Sequence, residues 1–121
     1  MLAISSVLIV DDEEPTRRTL KDVFKSAGVG HIGEAATAED AMELLALEPY
    51  SLIVCDYFLP AMNGLVFVGK LRLKKDWTPV LLISGVPDKA EIVQAAAKLK
   101  AEFLAKPFTI SQLMSVIERL E

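Results

Sequence analysis

The sequence contains only one cysteine, Cys55, among its 121 residues, so no disulfide can form within the chain. A reducing compartment, the cytoplasm, is therefore the simplest location for the protein. Cys55 lies inside an apolar run, where a cysteine usually packs as a small hydrophobic residue. We expect no reactive thiol there.

Long hydrophobic runs and an excess of positive charge are also missing. No apolar run approaches the ~20 residues that cross a bilayer, and residues 1–6 lack the basic segment that opens a signal peptide. The chain has 13 basic and 17 acidic side chains, a formal net charge of −4. This balance argues against broad binding to a phosphate backbone. We therefore expect no membrane and no direct nucleic-acid partner.

The sequence predicts one domain, residues 1–121, with no repeat, linker or low-complexity tract. Five short apolar runs are typical of strands, at residues 7–10, 31–35, 52–55, 80–83 and 102–105. The stronger ones, the first, third and fourth, are continuously apolar and rich in β-branched residues. Such runs favour parallel strands that are buried on both faces.

Segments with helical spacing follow each of these runs. Their predicted starts, in chain order, are at Pro15, Thr37, Gly64, Asp88 and Thr109. Thr37 with Asp40 is typical of an N-terminal cap, and Thr109 with Gln112 of a capping box. Because strand and helix alternate five times, the sequence predicts an α/β fold, an open parallel sheet with helices on both faces.

Polar side chains follow four of the five predicted strands. The first run ends in Asp11 and Asp12, the third in Asp56, the fourth in Ser84 and the fifth in Lys106. Ligands of open α/β sheets bind beyond the carboxyl ends of the strands. The second run has no such group, as expected of an edge strand. We therefore expect these five side chains to share one rim of the sheet.

The chemistry of this set favours phosphoryl transfer. Clustered carboxylates repel, so a proton or a cation must neutralise them, and a set of oxygen ligands suits Mg²⁺. A magnesium ion opposite Lys106 would clamp a phosphoryl group while a carboxylate attacks in line and Ser84 donates a hydrogen bond. A strand-end aspartate alone is more often a turn residue, and Asp11 and Asp12 could simply favour a helix N-terminus. The complementary set at four strand ends indicates a functional site.

Four segments, in this order and spacing, resemble the receiver domain of bacterial two-component response regulators, including the chemotaxis receivers. They are VLIVDDEEPTRR from Val7, DYFLPAMNG from Asp56, PVLLISG from Pro79 and FLAKPF from Phe103. The resemblance covers essentially the whole chain. It implies a flavodoxin-like, doubly wound (βα)5 sandwich whose five-stranded parallel sheet has the order 2-1-3-4-5.

The resemblance also implies a role for each residue of the acidic rim. Asp56 corresponds to the phosphoacceptor, which takes a phosphoryl group as an acyl phosphate. Asp12 corresponds to a direct Mg²⁺ ligand and Asp11 to an acid that acts through metal-bound water. Asp56 and the backbone carbonyl of Phe58 would complete the metal site.

The remaining implied residues are those of phosphoryl binding and switching. Ser84 and Lys106 would contact the phosphoryl group, and the bond from Lys106 to Pro107 is often cis in the family. Phe103 occupies the aromatic switch position, without the hydroxyl of the commoner tyrosine. Phosphorylation would draw Ser84 inward, let Phe103 turn into the vacated space, and remodel the surface of the fourth helix, fifth strand and fifth helix.

The partners that the resemblance implies are a sensor histidine kinase or histidine phosphotransfer protein and a downstream target or output domain. The domain would assist its own phosphorylation and dephosphorylation without an external substrate. A phosphorylation-dependent homodimer is a further expectation, because Met114 and Val116 are predicted near the output side of the last helix. His31 is expected to be an ordinary surface residue, away from the rim.

Two features depart from the family pattern or vary within it. The turn before the fifth strand reads Lys98-Leu99-Lys100, where family members often carry Gly-Ala, which changes the end of the fourth helix. Phe58 and Val86 stand two residues after Asp56 and Ser84, at positions that influence how water reaches the acyl phosphate. Two apolar groups there would shield it and slow its hydrolysis.

Three alternatives compete with a phosphorylated receiver. A degenerate receiver could bind partners without phosphorylation, although the complete set of acids, hydroxyl and lysine argues against it. A Mg²⁺-dependent phosphohydrolase would need a second acid where Phe58 stands. A flavin-binding protein is disfavoured because the acidic loop after the first strand would repel a flavin phosphate.

Overall fold

The computed structural model describes residues 2–85 and 89–121, in which strands and helices alternate as the sequence predicts. The strands are β1 Ser6–Val10, β2 His31–Ala35, β3 Leu52–Asp56, β4 Val80–Ser84 and β5 Ala101–Ala105. The helices are α1 Glu14–Ser26, α2 Ala38–Leu47, α3 Gly64–Leu73, α4 Ala90–Lys98 and α5 Ile110–Leu120. In the part of the chain that these ranges cover, no helix is both long and apolar enough to cross a bilayer.

All five strands are parallel, and their order is β2-β1-β3-β4-β5. This confirms the predicted order and the position of β2 at an edge. Val10 at the end of β1 pairs with Cys55 near the end of β3, and Asp56 pairs with Ile83. The carboxyl ends of the central strands therefore lie side by side, which brings the polar residues that follow them to one rim.

The core consists of two layers, one on each face of the sheet. Along β1, Leu8 and Val10 belong to the layer that includes residues of α2, α3 and α4, whereas Val7 and Ile9 belong to the layer that includes residues of α1 and α5. Because every strand residue of this stretch meets a helix on one side or the other, all four are buried. This double burial explains why the strand sequences are continuously apolar rather than alternating.

The helix starts are specified by local side chains. Pro15 lies in the first turn of α1, where its missing N–H costs no hydrogen bond. The hydroxyl of Thr37 accepts a hydrogen bond from the backbone N–H of Asp40 (3.1 Å). Thr109 and Gln112 form the predicted capping box at the start of α5.

The starts of α3 and α4 show details that the sequence did not predict. Gly64 is the first residue of α3, as predicted, and the cap is Asn63, whose side chain accepts from the N–H of Val66 at 2.9 Å. The predicted start of α4 at Asp88 lies outside the described residues, and the helix begins at Ala90. Asn63 was overlooked because residues 59–64 have the composition of a turn.

Two strands extend at their carboxyl ends one residue beyond the apolar runs that predicted them, so Asp56 and Ser84 are the last residues of β3 and β4. The sheet continues there because the backbone remains paired beyond each polar residue. The N–H of Tyr57 donates to the carbonyl of Ile83, and that of Lys106 donates to the carbonyl of Ser84, each at 2.8 Å. The ends of these strands are thus held by backbone hydrogen bonds on the rim itself.

The turn after α4 is held by Arg72, which projects from α3. Its guanidinium donates to the carbonyls of Leu99 (2.8 Å) and Lys100 (3.3 Å). It also donates to the carbonyls of Asp76 (2.8 Å) and Thr78 (3.0 Å). Lys100 has a φ of 59°, in the left-handed region that favours glycine. The side chain of Arg72 therefore secures the turn at which the sequence departs from the usual Gly-Ala.

Candidate functional site

The carboxylates of Asp11, Asp12 and Asp56 meet at the rim of the sheet. Each contributes an oxygen that lies within 4.8 Å of the others. Asp11 and Asp56 are buried, whereas Asp12 is exposed. Three negative charges at this spacing repel one another unless a proton or a cation compensates them.

Asp11 shows the effect of this crowding. Burial raises the pKa of its carboxyl group, and the negative charges of Asp56 and Asp12 raise it further. The backbone N–H of Glu13, which donates to Asp11 Oδ1 at 2.9 Å, and the ammonium of Lys106 act in the opposite direction. The cluster therefore favours any ligand that brings positive charge to these oxygens.

The two carboxylate oxygens of Asp56 have different neighbours. Oδ2 lies 3.6 Å from the ammonium nitrogen of Lys106, and Oδ1 accepts a long hydrogen bond from the N–H of Phe58 at 3.4 Å. The peptide bond between Lys106 and Pro107 is cis, as the resemblance implies. Lys106, which follows β5, thus reaches past the end of β4 to Asp56 at the end of β3.

Ser84 is fully buried at the end of β4, where it pairs with Ala105 of β5. Phe103 lies in β5, opposite Leu82 of β4. Its partly buried ring packs against the core layer beneath α2, α3 and α4. Both residues therefore lie on the two strands that α4 connects, one before and one after this helix in the chain.

A pocket of about 190 Å³ lies beside the acidic cluster. Asp11, Asp56 and Lys106 line its polar part, together with Thr16 from the first turn of α1. The rest of its wall is apolar, formed by Val10, Leu20, Val54, Ile83 and Phe108. Asp56 and Lys106 therefore have free space next to them on the side of α1.

The side chain of Phe58, two residues after Asp56, lies at the outer edge of the rim. Phe58 is 58% exposed, and its ring stands edge-on to that of Tyr57, with 5.0 Å between the ring centroids. Val86, the second residue proposed for shielding, lies outside the described residues. Phe58 is thus available at the surface above Asp56.

His31 lies at the opposite end of the sheet from the acidic cluster, in the first residue of β2. Its Nε2 is 2.7 Å from Oε1 of Glu48, and its ring stacks on Tyr50. The histidine is exposed, in agreement with its interpretation as a surface residue.

The expected place of Met114 and Val116 on the output side of α5 needs correction. Val116 is buried in the core against the sheet, and Met114 lines an apolar groove of about 370 Å³ between α1 and α5. The helical period explains the error, because Val116 shares the inward face with Leu113 and Ile117. Met114 therefore lies away from the surface of α4, β5 and α5, and Val116 adds to that surface only the 5% of its area that is exposed, in a groove beside Leu104.

One residue of the site region carried no signal that sequence reasoning used. Arg17 of α1 donates from Nη1 to the backbone carbonyl of Asp11 at 2.6 Å and from Nε to Glu34 at 3.3 Å. Every residue has a backbone carbonyl oxygen, so the amino-acid types in the sequence do not show which carbonyl Arg17 contacts. The position of this arginine within the first matching segment, VLIVDDEEPTRR, was the sole indication of importance.

Comparison with known proteins agrees with this geometry. Residues 7–118 match the sequence model of the response regulator receiver domain, and the chain belongs to this family. It is 34% identical over 115 residues to a probable chemotaxis protein CheY of Rhizobium etli, covering 93% of this chain and 88% of that protein.

Other relatives are longer or have been solved as assemblies. The Regulator of RpoS of Escherichia coli K12 is 39% identical over 101 residues, which cover 84% of this chain but only 30% of that protein. The beryllofluoride-activated NtrC4 receiver domain dimer has a similar fold, with a TM-score of 0.86, 27% identity, and coverage of 96% of this chain and 95% of that one. The family thus includes both short proteins and domains of larger regulators.

The donor set fits the ion that the family implies. Receiver domains bind Mg²⁺ at an acidic pocket, and here Asp11, Asp12 and Asp56 are grouped in that way. All the side-chain donors of the group are carboxylate oxygens, the ligands that Mg²⁺ prefers to nitrogen or sulfur. Receiver domains are phosphoacceptors rather than enzymes with an external substrate.

Proposed function

We propose that the protein is a phosphorylation-controlled switch in which Asp56 accepts the phosphoryl group. The observation that carries the proposal is the position of Asp56, buried at the end of a central strand with Lys106 at 3.6 Å and two further carboxylates beside it. A lysine there can bind a phosphoryl oxygen, and an acidic group can hold a cation on the other side.

Asp56 is a better nucleophile than its neighbour Asp11. Asp11 Oδ1 already accepts a hydrogen bond at 2.9 Å from Glu13, and burial raises the pKa of its carboxyl group. The oxygens of Asp56 have only a long backbone hydrogen bond and the ammonium of Lys106 as polar neighbours among the interactions described above. Asp56 thus lies beside an ammonium group that can bind an incoming phosphoryl group.

The transfer conserves atoms and charge in a simple way. An oxygen of Asp56 forms a bond to the phosphorus of a phosphohistidine, and the phosphorus–nitrogen bond breaks with its electron pair returning to the imidazole. Lys106 binds an oxygen of the phosphoryl group, and Ser84 donates a hydrogen bond to another. Hydrolysis reverses the state when water attacks the phosphorus and the carboxylate of Asp56 leaves.

Asp11, Asp12, Asp56 and the backbone carbonyl of Phe58 would hold Mg²⁺, with Asp11 acting through a metal-bound water. The ion would neutralise the charge that collects on the phosphoryl oxygens. The grouping of the three carboxylates and the raised pKa of Asp11 support this assignment, since both indicate an unmet need for positive charge.

The proposed output is a change in the surface of α4, β5 and α5. Ser84 would move toward the phosphoryl group, and the ring of Phe103 would turn into the space left beside β4. Its partial burial next to Leu82 supports this movement, because a ring at the edge of a core layer can be repacked at low cost. A small local change would thereby shift the population of two arrangements of one face.

The proposed location of the protein is the cytoplasm, and its proposed partners are a sensor histidine kinase or histidine phosphotransfer protein and a downstream protein or output domain. A homodimer that forms on phosphorylation is a further proposal, supported by the fold similarity to the activated NtrC4 receiver dimer. The acidic charge balance supports a protein partner rather than nucleic acid.

Phe58 and Val86 are proposed to slow hydrolysis of the acyl phosphate. The exposed ring of Phe58 near Asp56 supports a shielding role. Phosphate release from the phosphorylated protein should be faster in Phe58→Asn than in wild type, because an amide can hydrogen-bond the attacking water. Equal or slower release in the variant would refute the role of Phe58.

Phosphorylation itself can be tested with acetyl phosphate and Mg²⁺ followed by intact-mass measurement. Wild type should gain the mass of one phosphoryl group, and chelation of Mg²⁺ should suppress the gain. Asp56→Asn is the matched control, since it retains size and hydrogen bonding but loses the nucleophile. A wild type that stays unmodified by acetyl phosphate and by histidine kinases would favour a phosphorylation-independent binding module. Continuous turnover of phosphate esters would favour a phosphohydrolase.

A further inference from the structure

Arg17 contacts the backbone of the acidic loop rather than its carboxylates. It lies near the start of α1, and its Nη1 donates to the carbonyl oxygen of Asp11 at 2.6 Å. Its Nε lies 3.3 Å from Oε1 of Glu34 on β2. The side chain of Arg17 is only 16% exposed, so the guanidinium is held between the helix, the loop and the edge strand.

The carbonyl that Arg17 binds belongs to the peptide that joins Asp11 to Asp12. The other polar groups of Asp11 are also engaged, since its N–H donates to the carbonyl of Ala35 at 3.0 Å and its Oδ1 accepts from Glu13 at 2.9 Å. Arg17 therefore sets the orientation of the one peptide group between the two acids. The direction in which the exposed carboxylate of Asp12 leaves the loop depends on that orientation.

The carboxylate of Glu34 compensates the positive charge of Arg17 through a direct ion pair. Its Oε1 receives the guanidinium of Arg17, and its Oε2 lies 3.3 Å from the ammonium of Lys21. Glu34 is itself fixed by its place in β2, where it pairs with Ile9 of β1. The arginine is thus anchored to the sheet and is a neutralised neighbour of the cluster.

We infer that Arg17, anchored by Glu34, is a positioning residue for cation binding at the cluster of Asp11, Asp12 and Asp56. Arg17 does not touch the cation but fixes the backbone from which Asp11 and Asp12 project. This inference rests on the proposed function, because it concerns the same site. Groups that orient metal ligands commonly change metal affinity by about 10- to 100-fold when they are removed.

Positioning and simple electrostatics predict opposite signs for the loss of Arg17. If the guanidinium acted only through its charge, its removal would make the cluster more negative and tighten the binding of Mg²⁺. If it positions the loop, its removal weakens binding because Asp12 loses its fixed direction. The sign of the change in affinity therefore separates the two explanations.

The experiment compares Arg17→Met with Arg18→Met by titration calorimetry with Mg²⁺ alone. Arg18 is a matched control, since it is the next residue of α1, its side chain is 70% exposed, and it pairs with the exposed Glu14 one turn earlier in the same helix. We expect about tenfold weaker Mg²⁺ binding in Arg17→Met. We expect a change within about twofold in Arg18→Met, because salt screens exposed charges.

Three further measurements make the outcome decisive. The free energy of unfolding without Mg²⁺ shows whether each variant is folded at the titration temperature. Arg17→Lys keeps the charge and should recover part of the affinity. Glu34→Gln removes the anchor and should weaken binding less than Arg17→Met. If Arg17→Met does not fold, these two variants carry the test, and affinities equal to wild type in both would overturn the inference.

Failure of the inference and failure of the proposed function give different results. If wild type does not bind Mg²⁺, the proposed metal site is wrong. If wild type binds and Arg17→Met binds as tightly or more tightly, the site stands and the positioning role is overturned. Lower stability of Arg17→Met with unchanged affinity would likewise assign Arg17 a purely structural role.

Discussion

Replacing Arg72 by methionine should destabilise the fold more than any exposed charge replacement. The guanidinium is in a side chain that is 8% exposed, and its hydrogen bonds reach the carbonyls of Leu99, Asp76, Thr78 and Lys100 at 2.8 to 3.3 Å. Methionine can fill the space of the aliphatic stem, but it donates no hydrogen bond. The substitution therefore removes the link between α3 and the two turns that flank β4 and β5.

The magnitude follows from opposing contributions. A hydrogen bond to a charged group contributes about 1.5–3 kcal/mol, and a carbonyl left without a partner in the interior costs about 1–3 kcal/mol. Against this, burial disfavours the charged guanidinium and lowers its pKa, which the carboxylate of Asp76 partly offsets. Because water can reach some of the freed carbonyls, we expect a net loss of about 3 kcal/mol. That is a large fraction of the ~5–15 kcal/mol that holds a typical domain together.

Urea unfolding followed by circular dichroism measures this loss. Arg119→Met is the control, because Arg119 is exposed and pairs with Glu102 at 3.0 Å, so its removal should cost less than about 1 kcal/mol. Arg72→Lys should lie between, since an ammonium keeps the charge but cannot reach two turns at once. The lone tryptophan, Trp77, lies under the guanidinium at 5.3 Å, and its fluorescence should report the change locally. A loss below about 1 kcal/mol in Arg72→Met would refute the reasoning.

Three other perturbations test separate parts of the structure. Lys106→Met should tighten Mg²⁺ binding, because the competing ammonium near Asp56 is gone, and should slow phosphorylation; weaker Mg²⁺ binding by calorimetry would contradict this. Burial, with the hydrogen bond to Glu48, raises the pKa of Tyr50 to about 12, above the ~10 of an unfolded tyrosine. Between these pH values the folded state binds more protons, so stability should fall as pH rises, and Tyr50→Phe should lose stability less steeply in urea titrations; parallel slopes would refute it. Thr109→Ala should cost about 1 kcal/mol in thermal unfolding through loss of the α5 cap, and an unchanged melting temperature would argue against the cap.

The strand ends were predictable because an abrupt change from apolar to polar residues marks where a buried strand leaves the core. This signal identified Asp56 and Ser84, and the parallel sheet then required their neighbours to lie alongside. The contacts of Arg17 and Arg72 were not predictable. Both side chains bind backbone carbonyls, which every residue has, so the sequence does not mark the partners. The error at Val116 had another cause. To place this residue, one must know which face of α5 packs against the sheet, and its position along the chain does not give that.

The same distinction applies to the helix caps. Thr109 with Gln112 was recognised because both members of a capping box are side chains at a fixed spacing. Asn63 was missed because a lone asparagine in a turn-rich tract has many other uses, and only its bond to the N–H of Val66 shows which one applies. A cap that is marked by two side chains at a fixed spacing can thus be predicted, whereas a cap formed by one asparagine alone becomes evident only in the structure.

The most direct test of the account is to locate the phosphoryl group after incubation with a phosphodonor and Mg²⁺. Borohydride reduces an acyl phosphate to an alcohol, so peptide mass spectrometry of the reduced protein identifies the modified carboxylate. The account predicts a single reduced residue, Asp56, and no modification in Asp56→Asn. Reduction at Asp11 or Asp12 in the wild type, or no reduction although a cognate kinase transfers its phosphoryl group, would contradict it.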